Sequence, residues 1–125
     1  MEKKDNNIPA VRLLRHSSGE SYFEKGNIQT DLKIKATEFW FANEIDSWQV
    51  GTHIAPRKQF VITLSGKLKF TTSDHLSFII EPGIVLLAED INGEGHTWEM
   101  IEGHENWHRI YIPIIDESEI YFIKD

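Results

Sequence analysis

The side chains that could do chemistry begin at His53. His53, Arg57 and Gln59 occupy odd-numbered positions of one short segment. In an extended chain such positions share one face, so these polar groups would line the same surface. Imidazole can bind a metal or move a proton near neutral pH, and guanidinium can hold a carboxylate or phosphate. Because the apolar run Phe60–Leu64 follows, this face fits a cavity wall; a solvent-facing strand is the alternative.

A second candidate face begins at His96, after a glycine-containing loop at 92–95. Trp98 and Met100 follow at alternate positions and would share the face of His96 in a strand. An imidazole, an indole and a thioether make a wall that suits a small, partly apolar ligand. The alternative is an exposed loop histidine with Trp98 in the core. If both faces line one cavity, His53 and His96 meet there.

The segment His104-Glu105-Asn106-Trp107-His108 matches the H-E-x-x-H pattern of zinc peptidases. Two histidines four residues apart hold one zinc ion only when a helix brings them to one face. Gly103 and the strand-like run at 109–113 argue against a helix. In an extended chain the two histidines would be roughly 13 Å apart, at about 3.3 Å per residue. We interpret this segment as a polar loop that enters a strand.

At the two histidine segments the sequence resembles the cupin superfamily. The first cupin motif has a glycine, His-x-His, a glutamate four residues later and a glycine seven beyond that. The positions that fall in those places are Gly51, His53, Gln59 and Gly66. The resemblance covers about residues 37–115. Within the superfamily, the sequence is similar to a group of small single-domain cupins of unassigned activity.

The second cupin motif reads Pro-x-Gly-x-x-His-x-x-x-Asn. Gly93 and His96 match it, while Ile91 and Met100 stand in place of the proline and the asparagine. The resemblance implies an all-β chain folded as a double-stranded β-helix, or jelly-roll β-barrel. It also implies a homodimer paired through its sheets. We expect one domain over residues 1–125, with 1–7 frayed.

The resemblance implies a ligand set of three histidines and one glutamate for a divalent transition metal. Here Ala55 stands in place of the second histidine and Gln59 in place of the glutamate. The metal ligands would then be His53, Gln59 and His96, and they would hold Fe, Mn, Zn or Ni less firmly than the full set. Side chains from elsewhere that could complete the set are His108, Glu89 and Asp90. A cavity without a metal is the alternative.

Four further side chains are candidates for contact with a small-molecule ligand, namely Arg57, Trp98, Met100 and His108. Arg57 on the His53 face would hold a carboxylate or phosphate, because a guanidinium directed into a cavity needs an anion or water. The alternative is an arginine at the rim, paired with Glu89 or Asp90. The sequence assigns no residue a catalytic role.

The elements that must position these residues are short β-rich runs separated by turn residues. The predicted strands contain Val11–Leu14, Thr37–Phe41, Phe60–Leu64, Lys67–Phe70, Leu76–Ile80, Ile84–Leu87, Trp98–Ile101, Ile110–Ile115 and Tyr121–Ile123. The Ser65-Gly66 step predicts a hairpin between its two flanking strands. The run Phe60–Leu64 is apolar at every position but one, which is typical of a strand buried on both faces. Helical periodicity is weak throughout.

Composition excludes several functional classes. The chain has 125 residues and no cysteine, so disulfides, thiolate metal sites and cysteine nucleophiles are absent. Its formal net charge is −7, which disfavours nucleic acid and anionic lipid as partners. No apolar run approaches the ~20 residues of a membrane span and no secretory signal is evident, so we expect a cytoplasmic protein.

Two functional hypotheses follow. The first is an enzyme that acts on a small organic acid, sugar or polyketide-like molecule, with the two histidines as metal ligands or as a metal-free acid/base pair. The second is a ligand-binding or sensor protein without turnover. Both have a small molecule as partner. A lectin-like sugar site and a peptidase are weaker alternatives.

Overall fold

A computed structural model of the protein describes residues 7–45, 51–102, 106–115 and 121–125. Over these ranges the chain forms strands, turns and loops and no helix, which confirms the all-β prediction. The described strands are β1 (Ile8–Arg15), β2 (Ser21–Ile28), β3 (Trp40–Ala42), β4 (Gln59–Ser65), β5 (Lys67–Thr72), β6 (Ser77–Ile80), β7 (Val85–Ala88), β8 (His96–Glu102), β9 (His108–Pro113) and β10 (Phe122–Lys124).

The strands form two sheets that pack as a sandwich. The larger sheet has the order β10-β2-β1-β7-β4-β9-β3, and the smaller has the order β6-β5-β8. The β1–β7 pair is parallel and the other ladders are antiparallel. The prediction of a closed barrel is therefore corrected for the described residues, because their ladders stop at short edge strands such as β3 and β6. An isolated bridge between His53 and His96 joins segment 51–56 to β8.

The hairpin predicted at Ser65-Gly66 is wrong. β4 belongs to the larger sheet and β5 to the smaller one, so the chain crosses between sheets at this step. β4 already pairs with β7 on one side and β9 on the other, which leaves no edge for β5. Gly66 allows the crossing because its φ of +108° is disfavoured for residues with a Cβ.

The core has two apolar layers, one on each face of the larger sheet. Between the sheets lie Val11, Leu13, Val61, Leu68, Phe70, Phe78, Ile80, Leu86 and Trp107. On the opposite face lie Ala10, Ile28, Phe60, Leu87 and Phe122. β4 supplies Val61 to the first layer and Phe60 to the second, which confirms that this strand is buried on both faces. Full burial of a side chain such as Phe70 stabilises the fold by roughly 2–3 kcal/mol.

Within the described part of the chain, no helix is long and apolar enough to cross a membrane.

Candidate functional site

The site lies between the sheets, where segment 51–56 meets the first residue of β8. The His53 amide donates to the His96 carbonyl at 2.9 Å, and the His96 amide donates to the His53 carbonyl at 2.8 Å. The two imidazole centroids are 4.6 Å apart, with the ring planes at 62°. The expectation that the two histidines meet is confirmed. Their roles as metal ligands or proton carriers stay predictions.

The loop before His96 is built for close approach of two backbones. Gly93 and Gly95 have φ values of +91° and +77°, which residues with a Cβ rarely adopt. A Cβ at Gly93 would lie 2.5 Å from the Gly19 carbonyl oxygen in the β1–β2 turn. The carbonyl of Gly95 accepts a hydrogen bond from the buried Ser21 hydroxyl at 2.5 Å. Two glycines and a serine at the start of β2 therefore set the position of His96.

His96 is oriented by a buried carboxylate. Asp90 Oδ2 lies 2.5 Å from His96 Nδ1, and the side chains of Asp90 and His96 are 0% and 5% exposed. A carboxylate at Nδ1 favours a proton on that nitrogen and leaves Nε2 with the lone pair. The backbone carbonyl of Asp90 also accepts from the Ala55 amide at 3.1 Å. Asp90 thus holds the His96 ring and, through Ala55, the segment that carries His53.

His53 is less enclosed than His96 and is held by its own backbone. Its Nδ1 lies 3.0 Å from the Gly51 carbonyl oxygen, which can only accept, so Nδ1 donates and Nε2 carries the lone pair. Burial lowers the pKa of His53 from its ordinary value, and the positive charge that His96 can carry lowers it further. His53 is therefore held in its neutral form at neutral pH.

A small cavity of about 30 Å³ lies beside the histidine pair. The cavity is open on one side, and since one water needs roughly 10–15 Å³ of such volume, it holds about two waters or the end of a small ligand. The lining residues are His53, Ala55, Pro56, Gln59, Val61, Phe70, Leu86, Ala88, His96, Trp98, Trp107 and Tyr111. Most of this wall is apolar, so its few polar groups decide the chemistry.

Gln59 lies in the cavity wall and Arg57 lies beside it at the surface. Gln59 is 3% exposed, and its Oε1 accepts from Arg57 Nη1 at 2.9 Å. The exposed guanidinium lies over the Trp40 ring, 5.2 Å from its centroid. The alternative that paired Arg57 with Glu89 or Asp90 is wrong in its partners, because Glu89 pairs with Arg12 and Asp90 with His96.

The other predicted ligand residues divide into two groups. Trp98 lines the cavity as expected. Met100 shares the face of Trp98 but packs against the core cluster and over Gly66, away from the lining. His108 is exposed at the start of β9, apart from the histidine pair. Of Trp98, Met100 and His108, therefore, Trp98 lines the cavity, and contact of any of the three with a ligand stays a prediction.

The H-E-x-x-H segment is described only in part, because residues 103–105 lie outside the described ranges. Its described residues, Asn106 to His108, form a bend that leads into β9 and are not helical. Trp107 turns inward, is 3% exposed, and donates from Nε1 to the Thr63 hydroxyl at 3.1 Å. The described part agrees with a loop that enters a strand.

Sequence reasoning missed the wall that β9 contributes. Arg109 is 3% exposed and packs against the Trp107 ring at 4.6 Å and the Tyr111 ring at 5.2 Å. It donates to the Trp107 carbonyl, the Tyr111 hydroxyl and the Glu44 carbonyl at 2.6, 2.7 and 2.8 Å. The signal was present in the alternation of residues 107, 109 and 111, because Arg109 and Tyr111 share one face of β9 and Trp107, just before the strand, also turns inward.

The residues present do not fit a complete metal site. His53 and His96 could each offer an Nε2 atom, but Gln59 Oε1 already accepts from Arg57 and Asp90 Oδ2 already binds His96. Within the described ranges, no group of three His, Cys, Asp or Glu side chains could hold an ion. Since firm sites use three or four protein ligands, we derive no chemical step through a metal.

Comparison of the chain with protein-family models, curated proteins and solved structures found no match. The cupin resemblance therefore rests on the motif residues alone, and the fold and function that it implies stay predictions.

Proposed function

We propose that the protein is an enzyme with a cupin-like jelly-roll fold that moves a proton on a small molecule. The observation that carries the proposal is the buried Asp90–His96 pair at 2.5 Å, in ring contact with the second imidazole of His53. A buried carboxylate that orients an imidazole beside a cavity is an arrangement proteins use for general acid/base catalysis. The cavity wall supplies little other polar chemistry.

The two histidines take different roles in this proposal. His53 is the base, because its lowered pKa keeps it neutral and its Nε2 carries the lone pair. His96 is the acid, because Asp90 holds its ring at Nδ1, so that Nε2, once it has taken up a proton from water, can donate that proton to the ligand. His53 takes a proton from one atom of the ligand and His96 returns one to another, so the ligand is isomerised without change in composition. Proton exchange between the two rings and water restores the starting state.

The substrate classes are a small organic acid, a sugar and a polyketide-like molecule. A cavity of about 30 Å³ accepts the reacting end of such a molecule and leaves the rest at the mouth. The apolar walls formed by Phe70, Trp98 and Trp107 favour a carbon-rich reacting end.

Deuterium exchange tests this proposal. The protein is incubated in D₂O with small oxo acids, ketones and sugars, and NMR follows loss of the proton next to each carbonyl. Exchange should fall about a hundredfold or more in His53→Asn and His96→Asn. His75→Asn is the control, because His75 lies in a turn with φ +70°, which asparagine tolerates. Exchange that EDTA abolishes, or that survives loss of both histidines, would overturn the metal-free mechanism.

A ligand-binding protein without turnover is the second candidate. The apolar and aromatic share of the cavity wall favours it, because such walls bind without chemistry. A metabolite that raises the melting temperature, with no deuterium exchange in any substrate class, would support this candidate over the enzyme.

We also propose that two copies pair through the outer face of the larger sheet. Phe41 pairs with Ile110 across the β3–β9 ladder, while their neighbours Trp40 and Tyr111 point inward. Phe41 is 68% exposed and contacts the 60% exposed Phe39 at a ring distance of 6.0 Å. Large apolar side chains left in water on a sheet face are typical of an interface.

A further inference from the structure

We propose that the ligand of this cavity is an organic acid and that its carboxylate binds Arg57 at the cavity mouth. This inference rests on the proposed function, because it names the ligand class of the same site. Arg57 lies four residues after His53, and its Nη1 donates at 2.9 Å to Oε1 of Gln59. Because Gln59 is buried and lines the cavity, the guanidinium lies within one hydrogen bond of the cavity wall.

The Arg57 guanidinium is held in place, but the described residues accept from only one of its N–H groups. Its central carbon lies 5.2 Å from the centroid of the Trp40 ring, a cation–π contact that restricts where the group can move. One of its five N–H groups donates to Gln59, and the others have no acceptor among the described residues. A fork positioned in this way matches the two oxygens of a carboxylate and loses little entropy on binding.

Carboxylates of the described chain do not occupy this fork. Glu89 is taken by Arg12, with Nε and Oε2 at 2.6 Å, and Asp90 is taken by His96. The chain as a whole has a formal charge of −7, yet among the described residues Arg57 contacts a neutral amide and an indole and no carboxylate. In our proposal an anionic ligand supplies the counter-charge that the described residues do not provide.

Arg109, the second arginine near the cavity, has a structural role and serves as a comparison for Arg57. Arg109 is 3% exposed, and three of its nitrogens donate to oxygens of Trp107, Tyr111 and Glu44. It is enclosed by protein and cannot reach a ligand without rearrangement. Arg57 is exposed and, among the residues that the structure describes, has donors without an acceptor, so of the two it is the one suited to bind a ligand.

Cavity size restricts the acid further. About 30 Å³ is room for about two water-sized groups, so the carboxylate stays at the mouth and the carbons beside it enter the cavity. Those carbons would meet the imidazole of His53 and the indole of Trp98. A short-chain acid with a reactive carbon near its carboxylate fits both ends of the site.

Calorimetric titration with a matched pair of probes tests this inference. Butyrate carries the carboxylate, and butyramide has the same size without the charge. Wild type should bind butyrate roughly tenfold or more tightly than butyramide, because hydrogen bonds to charged groups are the stronger ones. Arg57→Gln should remove that preference, and Arg57→Lys should restore only part of it, because lysine lacks the fork.

Lys33→Gln is the matched control, because it removes the same charge from an exposed loop position and should leave the preference unchanged. Equal binding of the two probes, no binding of either, or a butyrate preference that survives Arg57→Gln would overturn the inference. A different result would contradict the proposed enzyme alone: butyrate binding that depends on Arg57, together with no deuterium exchange in any substrate. If exchange depends on the histidines but the probes show no carboxylate preference, the enzyme stands and this inference falls.

Discussion

Gly95 lies directly against the backbone of His53. A Cβ added at Gly95 would fall well inside van der Waals contact of the His53 carbonyl oxygen, and φ at Gly95 is +77°. Gly95, which directly precedes His96, therefore leaves the space that the His53 backbone occupies. This contact makes the backbone bridge between His53 and His96 possible, and with it the contact of their rings.

Replacement of this glycine should damage both the fold and the site. Gly95→Ala combines a disfavoured φ with a backbone clash, so we expect a loss of about 3 kcal/mol in the free energy of unfolding. Gly83→Ala is the control: φ is +100° but no atom lies within 4 Å of the added Cβ, so it should lose about 1 kcal/mol. Urea unfolding measures both. Equal losses would show that the contact with His53 is unimportant.

Loss of the buried carboxylate should destabilise the protein and release the His96 ring. Asp90→Asn replaces the acceptor at Nδ1 by an amide, and we expect a loss of about 2–3 kcal/mol. Glu89→Gln is the control, because its pair with Arg12 is partly exposed (21% and 15%) and should contribute about 1 kcal/mol or less. Nitrogen NMR of His96 should show a proton on Nδ1 in wild type and a mixed tautomer in Asp90→Asn. An unchanged tautomer would contradict the orienting role.

The free energy of unfolding should decrease as the pH is lowered, because of His53. The pKa of His53 in the fold lies below its ordinary value of 6.5, so the unfolded chain binds the proton more readily than the folded one. The His53 contribution to stability is therefore fully present above pH 6.5. It is lost progressively as the pH falls from there toward the lower pKa of the folded state.

Urea unfolding between pH 8 and pH 5 measures this dependence. Other groups titrate in the same range, so the comparison that counts is between wild type and variants. His53→Asn should have a shallower dependence than wild type, and the exposed-site variant His16→Asn should keep it. A slope that His53→Asn leaves unchanged would show that another group is responsible.

The outer sheet face should set the oligomeric state. Light scattering should find a particle of twice the 14.5 kDa chain mass in wild type. Phe41→Glu should give a monomer, because it places a charge in the apolar interface. Leu76→Glu alters another exposed apolar residue, which is 59% exposed in the β5–β6 turn, and should remain a dimer. A monomeric wild type would contradict the pairing proposal.

Local pattern was enough to find most strands, and it failed where polar residues form one. The runs around Phe60 and Phe78 are apolar and β-branched, and each lies within a described strand. β2 was missed because its centre reads Glu24-Lys25-Gly26-Asn27, which are residue types that strands avoid. Gly26 is needed there because β10 packs over it: a Cβ would collide with the Ile123 backbone. That requirement depends on a strand nearly one hundred residues later in the chain.

The sequence by itself determined the all-β class, the alternation that places His53 with Gln59 and His96 with Trp98, and the lack of cysteine chemistry. These follow from backbone periodicity and residue type, which act locally. Tertiary structure decided that Asp90 holds His96, that Arg109 supports the β9 wall, and that β4 and β5 belong to different sheets. Such pairings depend on which strand edges remain available after the others have paired, and no local pattern records that.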